Sequence, residues 1–232
     1  MKVVVVANDG DGDDGFVGER FAEYGAGIDR RWRESPGALD DAEIGADAIV
    51  LLGSDWSVYQ PSVTNLVAAE KALILRAVER GVPLLGICFG AQIAAAAFGC
   101  AVVRAERAEI GWRSLSSDSS AFSAGPWFQY HADRWIDAGR VHSFMYNSIA
   151  PQAFDLGRIL AVQFHPEVTA PTSSRWLHVG ADEVAAAGES IELIESATND
   201  LIDGARDRCR HLVEYFVDVI GSRSPTGLRA AP

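Results

Sequence analysis

Cysteines, basic side chains and long apolar runs are scarce in this 232-residue sequence. The three cysteines are an odd number without short regular spacing, so neither a disulfide framework nor a cysteine metal site is predicted. Basic side chains number 20 against 32 acidic ones, and the net charge of −12 would repel a nucleic-acid backbone. No apolar run is long enough to cross a bilayer, and "MKVVVVAN" is too short for a secretory signal. We therefore expect a cytoplasmic protein that binds neither nucleic acid nor membrane.

The acidic loop "NDGDGDDG" is the one stretch that invites a metal interpretation. Asp9, Asp11 and Asp13 alternate as the ligands of a calcium loop do. However, the sixth position is Asp14 instead of the glycine that the turn requires, and the twelfth is Arg20 instead of glutamate. We expect no metal ion and no cofactor.

Apolar strand patterns alternate with helical patterns in the first hundred residues. The predicted strands are Lys2–Ala7, Ala48–Leu52 and "PLLGIC", and the predicted helices are Phe16–Tyr24, Asn65–Arg80 and "GAQIAAAAFG". This rhythm is typical of an α/β fold with a mostly parallel central sheet and helices on both faces.

The second half of the chain is less regular. Between residues 101 and 164, "AVVRA", "IGWRSL", "WFQYH" and "GRILAVQFH" predict shorter strands, which we expect to include antiparallel additions to the main sheet. Apolar residues then recur every three to four positions, which predicts a helical extension over residues 170–221. The expected organisation is one domain over residues 1–221, followed by a disordered tail at 222–232.

Cys88 lies between Gly86 and Gly90, where the third strand gives way to an alanine-rich helix. In a G-x-C-x-G turn the glycines give room for a sharp bend, and the bend pushes the sulfur out of the sheet. The N-terminus of the following helix favours a thiolate and can bind an oxyanion. Taken alone, the motif is equally compatible with a buried structural cysteine.

A base for Cys88 is found in "AVQFHPEV". His165 ends an apolar strand, at the edge where open α/β sheets bind their ligands. Glu167 is two residues further on and on an extended backbone lies on the same face, so it can orient the imidazole. The combination predicts a Cys-His-Glu triad, although His165 by itself would more often be a hydrogen-bonded strand-end residue.

Together, "GICFGAQ" and "QFHPEVT", whose histidine follows Cys88 by 77 positions, resemble the class I (triad) glutamine amidotransferases. This group includes the glutaminase domain of GMP synthetase, and the resemblance covers residues 2–169. It implies a flavodoxin-like α/β fold and hydrolysis of the glutamine side-chain amide through a γ-glutamyl thioester on Cys88. It also implies that His165 transfers protons and that Glu167 holds His165 in place.

The same resemblance implies further site residues. "LLGSDWSVY" matches the oxyanion strand of the family, so backbone N–H groups of Gly53 and Ser54 would cooperate with that of Phe89. This strand has one glycine where the family usually has two and a proline. Gln92 and the segment "YHAD", with Tyr130 and His131, match groups that hold the substrate; for His131, a loop histidine bonded to its neighbours is the alternative.

Three functions remain open at this point. The first is a glutaminase that supplies ammonia to a partner synthetase, since nothing in these residues resembles a synthetase domain. The second is a stand-alone γ-glutamyl hydrolase acting on γ-glutamyl amines or peptides. The third is a non-catalytic regulatory module of the same fold, against which the presence of Cys88, His165 and Glu167 argues.

Overall fold

The computed structural model describes residues 1–119 and 122–224 as an α/β protein built on an eight-stranded sheet. The strands are β1 (Lys2–Ala7), β2 (Gly27–Trp32), β3 (Ala48–Leu51), β4 (Leu84–Ile87), β5 (Val102–Arg113), β6 (Ser116–Ser117), β7 (Trp127–Trp135), β8 (His142–Tyr146), β9 (Pro151–Leu156) and β10 (Ile159–Val162). The helices are α1 (Gly15–Glu23), α2 (Thr64–Arg80), α3 (Phe89–Ala97), α4 (Ala170–Val179), α5 (Ala181–Ala186) and α6 (Ile191–Tyr215).

The main sheet has the order β2-β1-β3-β4-β10-β9-β8-β6. Its first five strands are parallel, and β9, β8 and β6 then add in antiparallel fashion. The predicted fold class, with a mostly parallel sheet and antiparallel additions, is confirmed. Because β4 and β10 are parallel neighbours, their carboxyl ends meet at one edge of the sheet, which is where ligands bind in such folds.

Apolar side chains of the parallel strands alternate between two cores, one on each face of the sheet. One core packs Val3, Val5 and Leu85 against α1 and α6, and the other packs Val4 and Leu51 against α2 and α3. Strands that are apolar on both faces are expected where helices cover both sides. A third, smaller core lies between β5, β7 and the helices α4 to α6.

One expectation about the strands was wrong, and one strand was not predicted. "AVVRA" and "IGWRSL" contribute to one strand, β5, which pairs with β7 in a separate two-stranded sheet instead of extending the main sheet. The main sheet is instead extended by β8 and β9, in which polar and apolar residues do not alternate regularly, so their sequences show no clear strand pattern. The edge strand β2 escaped prediction because its sequence, "GIDRRW", is largely charged, as exposed edge strands often are.

The C-terminal helical extension is present as α4, α5 and α6, followed by a π-helical turn over Phe216–Ile220. The predicted tail at 222–232 lies outside the described residues from 225 onward. Within the described part of it, Arg223 donates a 2.6 Å hydrogen bond to the Asp155 carboxylate and another to the Gly157 carbonyl.

Candidate active site

Cys88 occupies a strained turn between β4 and α3. Its backbone has φ 51° and ψ −109°, and it is the only non-glycine residue with a positive φ among the described residues. Such a conformation costs about 1–3 kcal/mol and is typical of functional sites. The turn directs the sulfur toward the carboxyl edge of the sheet.

The flanking glycines are required by close backbone approach. A Cβ on Gly90 would lie 2.2 Å from the Leu51 carbonyl oxygen, and one on Gly86 would lie 2.7 Å from the Gly90 carbonyl oxygen. The elbow therefore presses α3 directly against the ends of β3 and β4, with no space for a side chain at either position.

His165 and Glu167 follow β10, beside the end of β4. His165 Nδ1 lies 2.7 Å from Glu167 Oε1, and the two residues are 4% and 3% exposed. The His165 N–H donates to the Phe128 carbonyl, which fixes the backbone at this point. The parallel β4–β10 pairing thus brings together three residues that are separated by up to 79 positions in the chain.

The environment of His165 favours its protonated form. Burial lowers the pKa of this imidazole, but the Glu167 carboxylate and the Cys88 sulfur, which both interact with it, raise the pKa well above its ordinary value. His165 Nε2 is buried and has no hydrogen-bond partner among the described residues. The arrangement can hold a proton on His165 that is available to a bound molecule.

The Cys88 sulfur has two further polar neighbours. It lies 3.8 Å from the Tyr130 carbonyl oxygen, and Gln163 Nε2 lies 3.7 Å from it. Gln163 also accepts a hydrogen bond of 3.3 Å from Gln92. Gln163 escaped sequence analysis, although its position two residues before His165 in "QFH" would have indicated a side chain on the same side of the strand.

The segments predicted to form an oxyanion site converge on Cys88. A Cβ placed on Gly53 would lie 3.0 Å from His165 Cε1 and 3.6 Å from Cys88 Cβ, so this backbone borders both side chains. Phe89 begins α3, and the N–H of a first helical residue has no carbonyl partner within its helix. Ser54 turns its hydroxyl toward Asn8 Nδ2, 2.9 Å away, and so supports the loop through its side chain.

The Arg33 side chain holds the loop at Gly53 in place through hydrogen bonds to its main chain. Its guanidinium donates to the carbonyl oxygens of Leu52, at 2.7 Å, and Gly53, at 3.0 Å. The same group bonds Asn8 Oδ1 at 2.7 Å and the Glu70 carboxylate. Arg33 also escaped sequence analysis, because "RRWR" offers four charged or aromatic residues and no indication of which one is buried.

The remaining predicted residues lie beside Cys88, but their side chains are partly engaged within the protein. Gln92 Nε2 donates to the Asp133 carbonyl at 3.1 Å. His131 is buried between the Asp133 carbonyl and Glu109 Oε2, at 3.1 and 3.2 Å. "YHAD" lies inside β7, so the loop expected for it is a strand. Roles for Gln92, Tyr130 and His131 in substrate binding stay predictions.

Two cavities meet at Cys88. The first, of about 580 Å³, is lined by His165, Glu167 and Trp176 among others. The second, of about 420 Å³, is lined by Gln92, Tyr130 and Arg104 among others. Their sizes lie in the range of small-molecule sites. A molecule bound across Cys88 would therefore have one end in each cavity.

Trp176 of α4 forms part of the first cavity and was not predicted. Its ring meets that of His165 edge to face, with centroids 4.8 Å apart, and its Nε1 donates to Asp11 Oδ1 at 3.2 Å. The helical extension thus covers the imidazole and separates it from solvent on that side.

In residues 1–119 and 122–224, no group of three or more His, Cys, Asp or Glu side chains could hold a metal ion. In the same residues, no helix combines the length and the apolar character needed to span a membrane.

Comparison with known proteins supports the resemblance. A family model described as glutamine amidotransferase class-I matches residues 17–181, which include Cys88, His165 and Glu167. GMP synthase (glutamine-hydrolyzing) from Eremothecium gossypii is 30% identical over 191 residues, covering 76% of this chain and 33% of the relative. The corresponding enzyme from Mycolicibacterium paratuberculosis is 31% identical over 209 residues, covering 77% and 38%. The chain thus spans about a third of the length of these relatives.

Solved structures agree. A glutamine amidotransferase from Thermotoga maritima superimposes with a TM-score of 0.81 at 25% identity, over 94% of this chain and 98% of that one. A glutamine amidotransferase from Methylobacillus flagellatus has the same fold, with a TM-score of 0.79 at 18% identity over 99% and 98%. Given the family match over more than half of its length, the chain belongs to the class I glutamine amidotransferase family.

Proposed function

We propose that the chain hydrolyses the side-chain amide of glutamine through a γ-glutamyl thioester on Cys88. The proposal rests on the environment of the buried His165. Its Nδ1 lies 2.7 Å from Glu167 Oε1, and Glu167 and Cys88 together raise its pKa despite burial. A thiolate paired with an imidazolium is a ready nucleophile, because the sulfur needs to lose no proton when it attacks.

The proton transfers of the reaction follow from the pairing of the Cys88 thiolate with the His165 imidazolium. The Cys88 thiolate attacks the amide carbon, and the imidazolium of His165 gives its proton to the leaving nitrogen, so that ammonia departs as the thioester forms. Neutral His165 then takes a proton from water, and the resulting attack on the thioester releases glutamate and restores the thiolate. Glu167 keeps Nδ1 as the bonded nitrogen, which leaves Nε2 for transfer.

The developing oxyanion would be bound by backbone N–H groups. Phe89 supplies one at the start of α3, where the helix dipole adds its positive end. The loop at Gly53 and Ser54 is placed to supply a second, and the bonds from Arg33 to the Leu52 and Gly53 carbonyls hold that loop still. A rigid donor is effective because it does not need to reorganise during the reaction.

The released ammonia is proposed to pass to a partner synthetase. Support comes from the names of the relatives, which are GMP synthases that hydrolyse glutamine, and from the match of this chain to only about a third of their length.

Two experiments test the reaction. Purified chain should release ammonia from glutamine, and Cys88→Ala should abolish the release without changing the circular dichroism spectrum. An electrophilic glutamine analogue, 6-diazo-5-oxo-norleucine, should label Cys88 and neither Cys100 nor Cys209, since burial raises the thiol pKa of both. Label on Cys100 or Cys209, or full activity of Cys88→Ala, would refute the assignment.

A further inference from the structure

We propose that the first cavity accepts a cationic leaving group, so that the site also hydrolyses γ-glutamyl amides whose amine carries a second positive charge. The inference rests on the proposed thioester chemistry at Cys88 and adds the substrate class. It adds to glutamine hydrolysis an activity of the γ-glutamyl hydrolase kind, the second function that the sequence left open.

The position of His165 decides which cavity holds which end of the substrate. Its imidazole must reach the leaving nitrogen, and it lines the first cavity but not the second. The leaving amine therefore occupies the first cavity. The γ-glutamyl part extends to the other side of Cys88, where the second cavity offers Arg104 and Arg107 for a carboxylate and Asp133 for an ammonium group.

The size of the first cavity exceeds what ammonia requires. A water-sized molecule has a share of about 30 Å³ in the liquid. The cavity of about 580 Å³ holds a substituted amine of several carbons. Trp56 and Trp176 contribute apolar walls, against which the methylene groups of such an amine can pack.

The charge of the first cavity selects among such amines. Its lining carries seven carboxylates against one arginine, Arg175: Asp9, Asp11, Asp13, Glu34, Asp55, Glu167 and Glu183. Arg175 is already paired with Asp11 at 2.8 Å. The second cavity has four carboxylates against two arginines, so the excess of negative charge belongs to the leaving-group side and is not uniform around Cys88.

Two of the acidic residues that line the cavity are in contact. The Asp9 backbone N–H donates to Glu34 Oε2 at 3.0 Å, which places the Glu34 carboxylate against the main chain at Asp9. Neither has a salt bridge to any residue in 1–119 or 122–224. A cleft lined by charge of one sign focuses the potential and raises the local concentration of a cation. An ammonium group at the far end of the leaving amine would be bound there.

A second, independent feature points to a ligand in the same cavity. Glu167 Oε2 is a buried polar atom without a hydrogen-bond partner among the described residues, and Glu167, which is 3% exposed, lines the first cavity. Buried polar atoms are rarely left unpaired, so a donor on a bound molecule is expected to satisfy it. The reaction is balanced by water alone: the amide and water give glutamate and the free diamine, and His165 protonates the departing nitrogen.

Three γ-glutamyl amides of matched length test the proposal: the N-(4-aminobutyl), N-butyl and N-(3-carboxypropyl) amides. We expect kcat/KM for the aminobutyl amide to exceed that for the butyl amide roughly tenfold, with the carboxypropyl amide lowest. The preference should shrink as salt rises from low to physiological concentration. A butyl amide hydrolysed as fast as the aminobutyl amide, or an aminobutyl amide that is not hydrolysed, overturns the proposal.

Variants test whether the preference for a cationic amine comes from Asp9 and Glu34. Asp9→Asn with Glu34→Gln should lower the ratio of the aminobutyl to the butyl rate several-fold, while Glu79→Gln, an exposed carboxylate on α2 outside both cavities, should not change it. Unchanged preference in the double variant would place the cation elsewhere and contradict this inference. Its failure is distinct from that of the proposed function, which is judged by glutamine hydrolysis and by labelling of Cys88.

Discussion

The Arg33 guanidinium donates hydrogen bonds of 2.8 and 3.1 Å to the two oxygens of the Glu70 carboxylate, and both side chains are 1% exposed. The pair joins the loop after β2 to the middle of α2. Because the remaining donors of Arg33 reach the Leu52 and Gly53 carbonyls, Glu70 indirectly sets the position of the loop beside Cys88.

Arg33→Lys should therefore lower kcat for glutamine more than it changes KM. A lysine ammonium can bond Glu70 but cannot also hold both carbonyls in the planar geometry of a guanidinium. A lost oxyanion donor costs about 10²- to 10³-fold, so we expect a fall of up to about 10²-fold from a displaced one. Arg206→Lys, at a half-exposed arginine paired with Glu19, is the matched control and should be unaffected. A change confined to KM would argue against the positioning role.

Glu70→Gln tests the same pair through stability. It leaves the guanidinium buried beside a neutral amide, and breaking a buried pair in this way costs about 3–5 kcal/mol. The free energy of unfolding, measured with urea, should fall by an amount of this order. Loss of less than about 1 kcal/mol would mean that water or the backbone carbonyls satisfy Arg33 without Glu70.

The central sheet and the Cys88 elbow could be predicted because their signals are local. β-branched runs such as Lys2–Ala7 are expected only in buried strands, and the glycines around Cys88 are required by contacts within a few ångströms of the turn. His165 and Glu167 could be predicted as a pair because residues two positions apart on an extended backbone lie on the same face. The catalytic roles of all three stay predictions.

The rest of the site depends on contacts that the sequence does not encode locally. Trp176 meets His165 only because α4 folds back over β10, and Arg33 is buried only because α2 supplies Glu70, 37 residues later. When a charged or aromatic residue stands among similar residues, the sequence pattern does not show which of them is buried. For the acidic loop with Asp9 the sequence predicted only that it holds no metal ion, and its place in a cavity with Cys88 depends on the fold.

Unequal effects are expected within the triad. His165→Ala removes the group that transfers protons, at a cost of about 10²- to 10⁴-fold in kcat. Glu167→Gln leaves the imidazole in place and removes only the charge that orients it, so the loss should be smaller. Ammonia release at saturating glutamine measures both. Equal inactivity of the two variants would show that the carboxylate does more than orient His165.

Gly90→Ala should disrupt the elbow. The added Cβ would lie 2.2 Å from the Leu51 carbonyl oxygen, so α3 must move away from β3 or the chain must lose stability. We expect loss of glutamine hydrolysis together with a lower thermal midpoint. Gly27→Ala, on the edge strand β2 with no atom within 4 Å of the new Cβ, should be neutral in both measurements. A fully active Gly90→Ala protein would refute the close approach of α3 to β3.

The raised pKa of His165 predicts how stability depends on pH. The imidazole binds a proton more tightly in the folded chain than in the unfolded chain, where its pKa is near 6.5. Its contribution to the free energy of unfolding is therefore complete below pH 6.5 and is lost as pH rises through the folded pKa, by at most about 1.4 kcal/mol per pH unit. Urea unfolding from pH 6 to pH 9, at roughly one-unit steps, compares Cys88→Ala with the Cys88→Ala/His165→Gln double variant, because in the wild type the proton held by His165 is balanced by the one that the Cys88 thiol loses. Cys88→Ala should lose more stability across this range than the double variant, since the Glu167 carboxylate still raises the pKa of His165. Parallel curves for the two proteins would mean that folding leaves the proton affinity of His165 unchanged.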